Sequence, residues 1–159
     1  MADSTYPDLA IYQGAQNAQG LVVAKEVFYV ETGAATYTGA IVIPAGAWIT
    51  DIIVQNVAEW TAGTSAVMEV GDGDDPDGFY TDVNVKATEL LIGQTISFAK
   101  TGGVEGAYFA GSATHINGLY NAAARTITGT IVSVGAGTAG RTRMLVQYVI
   151  PVSTKATSA

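Results

Sequence analysis

The segment Thr38 to Asp82 holds three strand-like runs divided by two tight-turn signals and closed by an acidic loop, which leaves room for little but short strands. Ala40, Ile41, Val42 and Ile43 form a β-rich run. Pro44-Ala45-Gly46 ends it, because proline fixes φ and donates no ladder hydrogen bond, while glycine accepts positive φ. Ala47 to Val57 follows. Its even positions carry Trp48, Thr50, Ile52 and Val54, and its odd positions Ala47, Ile49, Asp51 and Ile53. Both faces are largely apolar, which predicts a strand buried on two sides, once in a sandwich interior and once against a neighbour. The β-branched residues Ile49, Thr50, Ile52, Ile53 and Val54, next to a turn, favour strand over helix. Thr61-Ala62-Gly63-Thr64 turns the chain, and Ser65 to Val70 makes a third run. Gly71-Asp72-Gly73-Asp74-Asp75-Pro76-Asp77-Gly78 is a loop by composition.

The same alternation of strand and turn runs through the rest of the chain. Leu21 to Glu31 is strand-like and Thr32-Gly33-Ala34-Ala35 turns it into Thr36 to Ile43. Phe79 to Val85 reads as an edge strand, Gln94 to Ala99 as a strand, and Ala107 to Gly111 as a short one. Lys86 to Leu91 is the best helix candidate, at one or two turns. Asn117-Gly118, between Ile116 and Leu119, signals a hairpin over Thr114 to Asn121. Arg125 to Val134, the flexible Gly135 to Gly140 and Arg141 to Val149 together predict a long terminal hairpin, ended by Pro151. The expected fold is all-β: a single jelly-roll-like β-sandwich of about eight to ten strands. Its domain covers residues 21–152, preceded by an extended N-terminal arm at 1–20 and followed by a polar tail at 153–159. The arm lacks core periodicity, yet it spaces Tyr6, Leu9, Ile11 and Tyr12 among polar residues, a pattern suited to docking on another subunit.

Composition narrows the function classes. The 159 residues suit one domain with a real core. Only 13% are charged, against about 25% in an average soluble domain, and the mean hydropathy is +0.28. A surface so poor in charge is expected to be partly covered, which points to a homo-oligomer or a subunit of a larger assembly. The net charge of −7 argues against nucleic acid, since phosphate binding needs clustered Lys and Arg. Arg141 and Arg143 alone lie close together, on what would be one strand face. No apolar run is long enough to span a bilayer and the N-terminus carries no signal-peptide pattern, so no membrane partner is expected.

Candidate chemistry is sparse. Cysteine is absent and His115 is the only histidine, so zinc and Cys–His catalysis are not expected. No G-x-S-x-G motif is present, and Gly135 to Gly140 lacks the lysine of a phosphate loop. The one dense carboxylate cluster is Asp72, Asp74, Asp75 and Asp77. It departs from the EF-hand template: the third acid falls one position late, and Val83 stands where the bidentate Glu belongs. The expectation is a solvated acidic turn, with Asp72, Asp74 and Asp77 as the ligands of a weak calcium loop if the turn binds a cation. No enzymatic activity and no cofactor are expected. Trp48 and Ile53, with the four arm residues, are the candidate interface side chains.

Ile43 to Val57 (IPAGAWITDIIVQNV), Trp60 to Tyr80 (WTAGTSAVMEVGDGDDPDGFY) and the ending Thr126 to Pro151 resemble small structural proteins of tailed bacteriophages. The resemblance spans about Ala24 to Pro151. It implies a capsid decoration (cement) protein, or a jelly-roll part of a head or tail fibre. It further implies a homotrimer seated on the phage major capsid protein at the outer surface of the virion, assembled in the host cytoplasm. The alternative reading is a fibre or tail-associated module that recognises a host-surface glycan through exposed aromatics. No catalytic residue is carried over by the resemblance.

Overall fold

The computed structural model describes residues 22–86, 90–109 and 116–151. Eight strands follow one another within them: β1 (Val23–Val30), β2 (Ala35–Ile43), β3 (Trp48–Ala58), β4 (Ser65–Gly71), β5 (Tyr80–Asn84), β6 (Thr95–Ile96), β7 (Arg125–Val134) and β8 (Arg141–Val149). Each falls on a run whose composition predicts strand. They form two four-stranded sheets, ordered β1-β8-β3-β6 and β2-β7-β4-β5, and every pairing is antiparallel. The pairs β1·β8, β2·β7, β3·β6 and β4·β5 nest inside one another like one long hairpin with its tip between β4 and β5. Rolling that hairpin up lays β3 beside β8 and β4 beside β7. This is the jelly roll, a sandwich of two Greek keys.

The topology corrects the expected terminal hairpin. β7 lies between β2 and β4, and β8 lies between β1 and β3, so the two are in different sheets. The glycine-rich segment 135–140 is an arch that carries the chain from one sheet to the other. A hairpin and an arch need the same turn residues; they differ in which partners the flanking strands find. Gly135 and Gly140 supply positive φ there, at 86° and 153°.

β3 carries apolar residues on both faces, which predicts one face in the sandwich interior and the other against a neighbour. Within the chain it is buried on one. The pairing with β8 shifts between Ile49 and Asp51, leaving Thr50 as an extra residue in a bulge. The bulge switches the phase of alternation, so Ile49 and Ile52 both point inward, although one is odd and the other even. Val54 and Asn56 continue the inner face, while Asp51, Ile53 and Gln55 lie half-buried on the outer one. β5 uses the same device: Tyr80 and Val83 are both buried because Asp82 takes a left-handed conformation at φ 55° beside a register shift.

The core lies between the sheets. Ile49, Ile52, Val54, Met144 and Val146 meet Ile41, Ile43, Met68, Val70, Ile127 and Ile131, all nearly solvent-free. Each such side chain stabilises the fold by about 1.5–3 kcal/mol relative to exposure. The β5–β6 side of the sandwich is closed by an aromatic cluster. Phe79 stacks on Phe98 at 5.8 Å and meets the Tyr108 ring edge-on at 4.9 Å, while Tyr80 stacks on Phe109 at 6.2 Å. Ala107 to Phe109 is therefore a turn that delivers rings, not the start of a strand. Residues 117–119 form a bend, with only Tyr120 bridging Trp48, so no hairpin ladder forms around Asn117-Gly118 in the described residues. Of the expected helix, Lys86, Leu90 and Leu91 are described and are not helical.

Candidate functional site

The acidic loop is built around one buried carboxylate. Gly71 ends β4 where no side chain fits: a Cβ there would meet the Asp75 carbonyl oxygen at 2.0 Å. The chain therefore folds tightly back on itself, and Asp72 turns inward. Its Oδ1 accepts from the backbone N–H groups of Asp74 and Asp75, at 3.0 and 3.2 Å, and from the Tyr108 hydroxyl at 2.7 Å. Its Oδ2 pairs with Arg125 Nη1 at 3.1 Å, and the two side chains are 4% and 9% exposed. The Tyr108 ring lies close against Gly78 and Gly118; a Cβ on either would fall within 2.7 Å of it. Three segments distant in sequence thus converge on Asp72: the β4–β5 loop, the turn at Tyr108 and the start of β7.

This arrangement corrects the solvated-turn expectation for Asp72. Burial alone would raise its carboxyl. The Tyr108 hydroxyl, the two backbone N–H groups and the Arg125 guanidinium together outweigh burial and hold it below the usual carboxylate range. Asp74 is exposed, as a solvated turn requires, and Asp77 is half-exposed. The Asp77 side chain, by hydrogen bonding and charge, pushes the Asp75 carboxyl up. With both Asp72 oxygens held by protein donors, the three acids of the calcium expectation do not converge on one point; no group of three metal-ligating side chains is assembled among the described residues. A cleft of about 370 Å³ beside the pair is lined by Asp74, Asn121, Arg125, Thr126 and Thr128.

A second buried carboxylate anchors the opposite end of the sandwich. Glu31, 2% exposed, accepts from Thr61 N–H at 2.7 Å, Thr61 Oγ1 at 3.0 Å and Ser133 Oγ at 3.0 Å. It ties the end of β1 to the β3–β4 loop and to β7, and the arch passes so close that a Cβ on Gly137 would lie 2.1 Å from Oε1. Trp60 packs beside it, donating from Nε1 to Thr142 Oγ1 at 2.8 Å and meeting Tyr37 edge-on at 5.3 Å. Both buried carboxylates are thus fully engaged in holding loops together.

The outer surfaces carry the remaining candidates. Trp48 is 48% exposed and pairs with Tyr120, 53% exposed, at 6.1 Å. Ile53 is half-buried beside Leu145 on the outer face of the β1-β8-β3-β6 sheet. Arg141 and Arg143 share that face, as their alternation predicts. Their guanidinium groups lie 4.2 and 5.8 Å from the Phe28 ring centre, and Arg143 also reaches Glu26 at 3.5 Å and Gln55. The outer face of the other sheet is nearly uncharged: Thr36, Thr38, Ala40 and Val42 of β2 lie against Val132, Thr130, Thr128 and Thr126 of β7. Tyr6, Leu9, Ile11, Tyr12 and His115 lie outside the described residues. Arg125, Tyr108, Glu31 and Phe28 carry the built features, and sequence reading singled out none of them. Arg125 is 53 positions from Asp72, and no spacing rule links a strand-opening arginine to a loop carboxylate at that distance.

No known protein-family model matches the chain, and no curated protein does. Among solved structures, the chain is similar to one in the capsid asymmetric unit of cyanophage Pam1, with a TM-score of 0.55 and 16% identity over 84% of this chain and 87% of that one. It also aligns with a chain in the capsid of Ralstonia phage GP4, at a TM-score of 0.44 and 16% identity over 83% and 86% of the two chains. At this identity the likeness to the Pam1 chain is one of fold, and it extends over nearly the whole jelly roll.

Proposed function

We propose that this chain is a non-enzymatic structural protein of a phage virion, which binds the outside of the capsid as a trimer and stabilises it. The observation that carries the reading is the likeness of nearly the full jelly roll to a chain of a phage capsid asymmetric unit. Two further features support it. The outer face of the β2-β7-β4-β5 sheet is poor in charge and offers apolar area for burial at Val42, Val132 and Val134. The buried carboxylates hold loops rather than face a reaction centre. The mechanism is mass action: a protein that binds only the assembled shell stabilises that shell by its binding free energy. The major capsid protein is the partner, and the segment 1–20 reinforces attachment by docking in extended form on a neighbouring subunit.

Adding full-length protein, and protein lacking Met1 to Gly20, to undecorated capsids tests this. Full-length protein is expected to saturate the shell at a fixed copy number and raise its disruption temperature, and the truncated form to need higher concentration for the same occupancy. Absence of saturable binding would overturn the reading. The exposed Trp48–Tyr120 pair favours a second reading, a fibre module that stacks sugars on aromatic rings. A low copy number confined to the tail, with glycan binding lost in Trp48→Ala, would select it.

A further inference from the structure

The outer face of the β1-β8-β3-β6 sheet ends in a cleft of about 260 Å³, lined by Phe28, Val57, Ile92, Arg141 and Arg143. Its apolar members stand open to solvent: Phe28 is 37%, Val57 38% and Ile92 61% exposed. Outside the lining, Val30, opposite Arg141 in the ladder, is 51% exposed. The Arg141 guanidinium rests on the Phe28 ring at 4.2 Å and has no carboxylate partner among the described residues. An apolar floor with an unpaired cation at its rim fits an extended peptide that carries apolar side chains and carboxylates together.

The chain itself contains such a peptide. Met1 to Gly20 carries Tyr6, Leu9, Ile11 and Tyr12, and its only charged side chains are Asp3 and Asp8. In a chain of net charge −7, a patch with two arginines is a rare place for that acidic segment to settle. Reach is sufficient. The segment joins the fold next to Val22, at the start of β1, whereas the cleft lies at the far end of the same strand, by Phe28 and Val30. The sixteen residue-to-residue steps from Tyr6 to Val22 span up to about 53 Å when extended, enough to cross to an adjoining subunit.

We infer that the Phe28–Arg141 cleft is the seat of the N-terminal segment of a second copy of this chain, apolar side chains against Phe28, Val57 and Ile92 and aspartates toward Arg141 and Arg143. The inference rests on the homo-oligomer reading, since an associated copy presents its segment at high effective concentration. It does not depend on a capsid.

The chain has no cysteine, so single thiols report the contact in the full-length protein. An isotopically labelled Ile11→Cys chain is mixed with unlabelled Val57→Cys chain and oxidised, and the linked peptides are identified by mass spectrometry. A link between position 11 of the labelled chain and position 57 of the other is expected. Arg141→Glu with Arg143→Glu in the cleft-bearing copy should lower its yield about tenfold, and Asp3→Lys with Asp8→Lys in the other copy should restore it. Circular dichroism confirms that each variant is folded. No 11–57 link in folded protein would overturn the inference. So would a link confined to one chain when the Ile11→Cys/Val57→Cys variant is diluted with wild type, because the seat would then belong to the chain's own segment. Because no capsid is present, failure to decorate capsids and failure to form this link are separate results.

Discussion

The Tyr29 hydroxyl donates to the Gly129 carbonyl oxygen at 3.1 Å across the sandwich, in a space that a single methyl group on residue 129 would fill. A Cβ there would lie 2.3 Å from Tyr29 Oη and 2.8 Å from Met68 Cε. Gly39, paired with Gly129 across β2 and β7, makes room for the same ring. The two glycines are therefore a socket in one sheet for a tyrosine from the other. Gly129→Ala is expected to destabilise by about 1–3 kcal/mol through overpacking. Adding Tyr29→Phe, which removes the clashing oxygen, should make the double variant lose less than the sum of the single losses. Urea unfolding of the four proteins measures this; strict additivity would show that the residues do not share the socket.

Asp72 makes stability depend on acid. Its folded pKa lies below the unfolded value, so its contribution is fully present above the unfolded pKa of about 3.9. It is lost as pH falls from there through the folded pKa. Stability is expected to be level from neutrality to about pH 4 with respect to this group and to drop below it. Asp72→Asn should remove that part of the drop. It should also cost about 3–5 kcal/mol at neutral pH, because Arg125 would be left buried without a counter-charge. Chemical denaturation across pH 2–7 compares the two proteins.

Calcium should have little effect on the fold. Asp72 offers no free carboxylate oxygen, and Asp74 and Asp77 stand apart from a third ligand in the described residues. Thermal melting with excess calcium and with chelator is expected to agree within about 1 °C, since a ligand that binds weakly shifts stability little. A rise of several degrees with calcium would make the loop a site.

The Ile53→Asp variant tests folding and association separately. It is half-buried on an outer sheet face rather than in the core. Ile53→Asp is expected to change the stability of the isolated fold by about 1 kcal/mol or less, as surface substitutions do. It should shift the assembled protein toward the 16.3 kDa chain in light scattering if this face is the subunit contact, because a charge buried there would have no partner. Unchanged assembly would place the contact elsewhere.

Local chemistry was sufficient to locate all eight strands. Pro44-Ala45-Gly46, the 71–78 loop and the 135–140 glycines act through φ restrictions that hold whatever surrounds them, and β-branched runs between such stops have few alternatives. Period-2 alternation likewise placed Arg141 and Arg143 on one face. Three features were settled only by tertiary structure, each because it depends on a partner remote in the chain. The 135–140 turn became an arch because β7 and β8 had neighbours in different sheets. The odd-numbered Ile49 and the even-numbered Ile52 and Val54 came to share one inner face because a bulge opposite β8 re-phased the strand. Asp72 went from loop carboxylate to buried anchor because Tyr108 and Arg125, 36 and 53 positions away, supply the donors that offset its desolvation. Turns are short-range and legible in a sequence; pairing, phase and the satisfaction of a buried charge are set by long-range contacts that the sequence by itself leaves open.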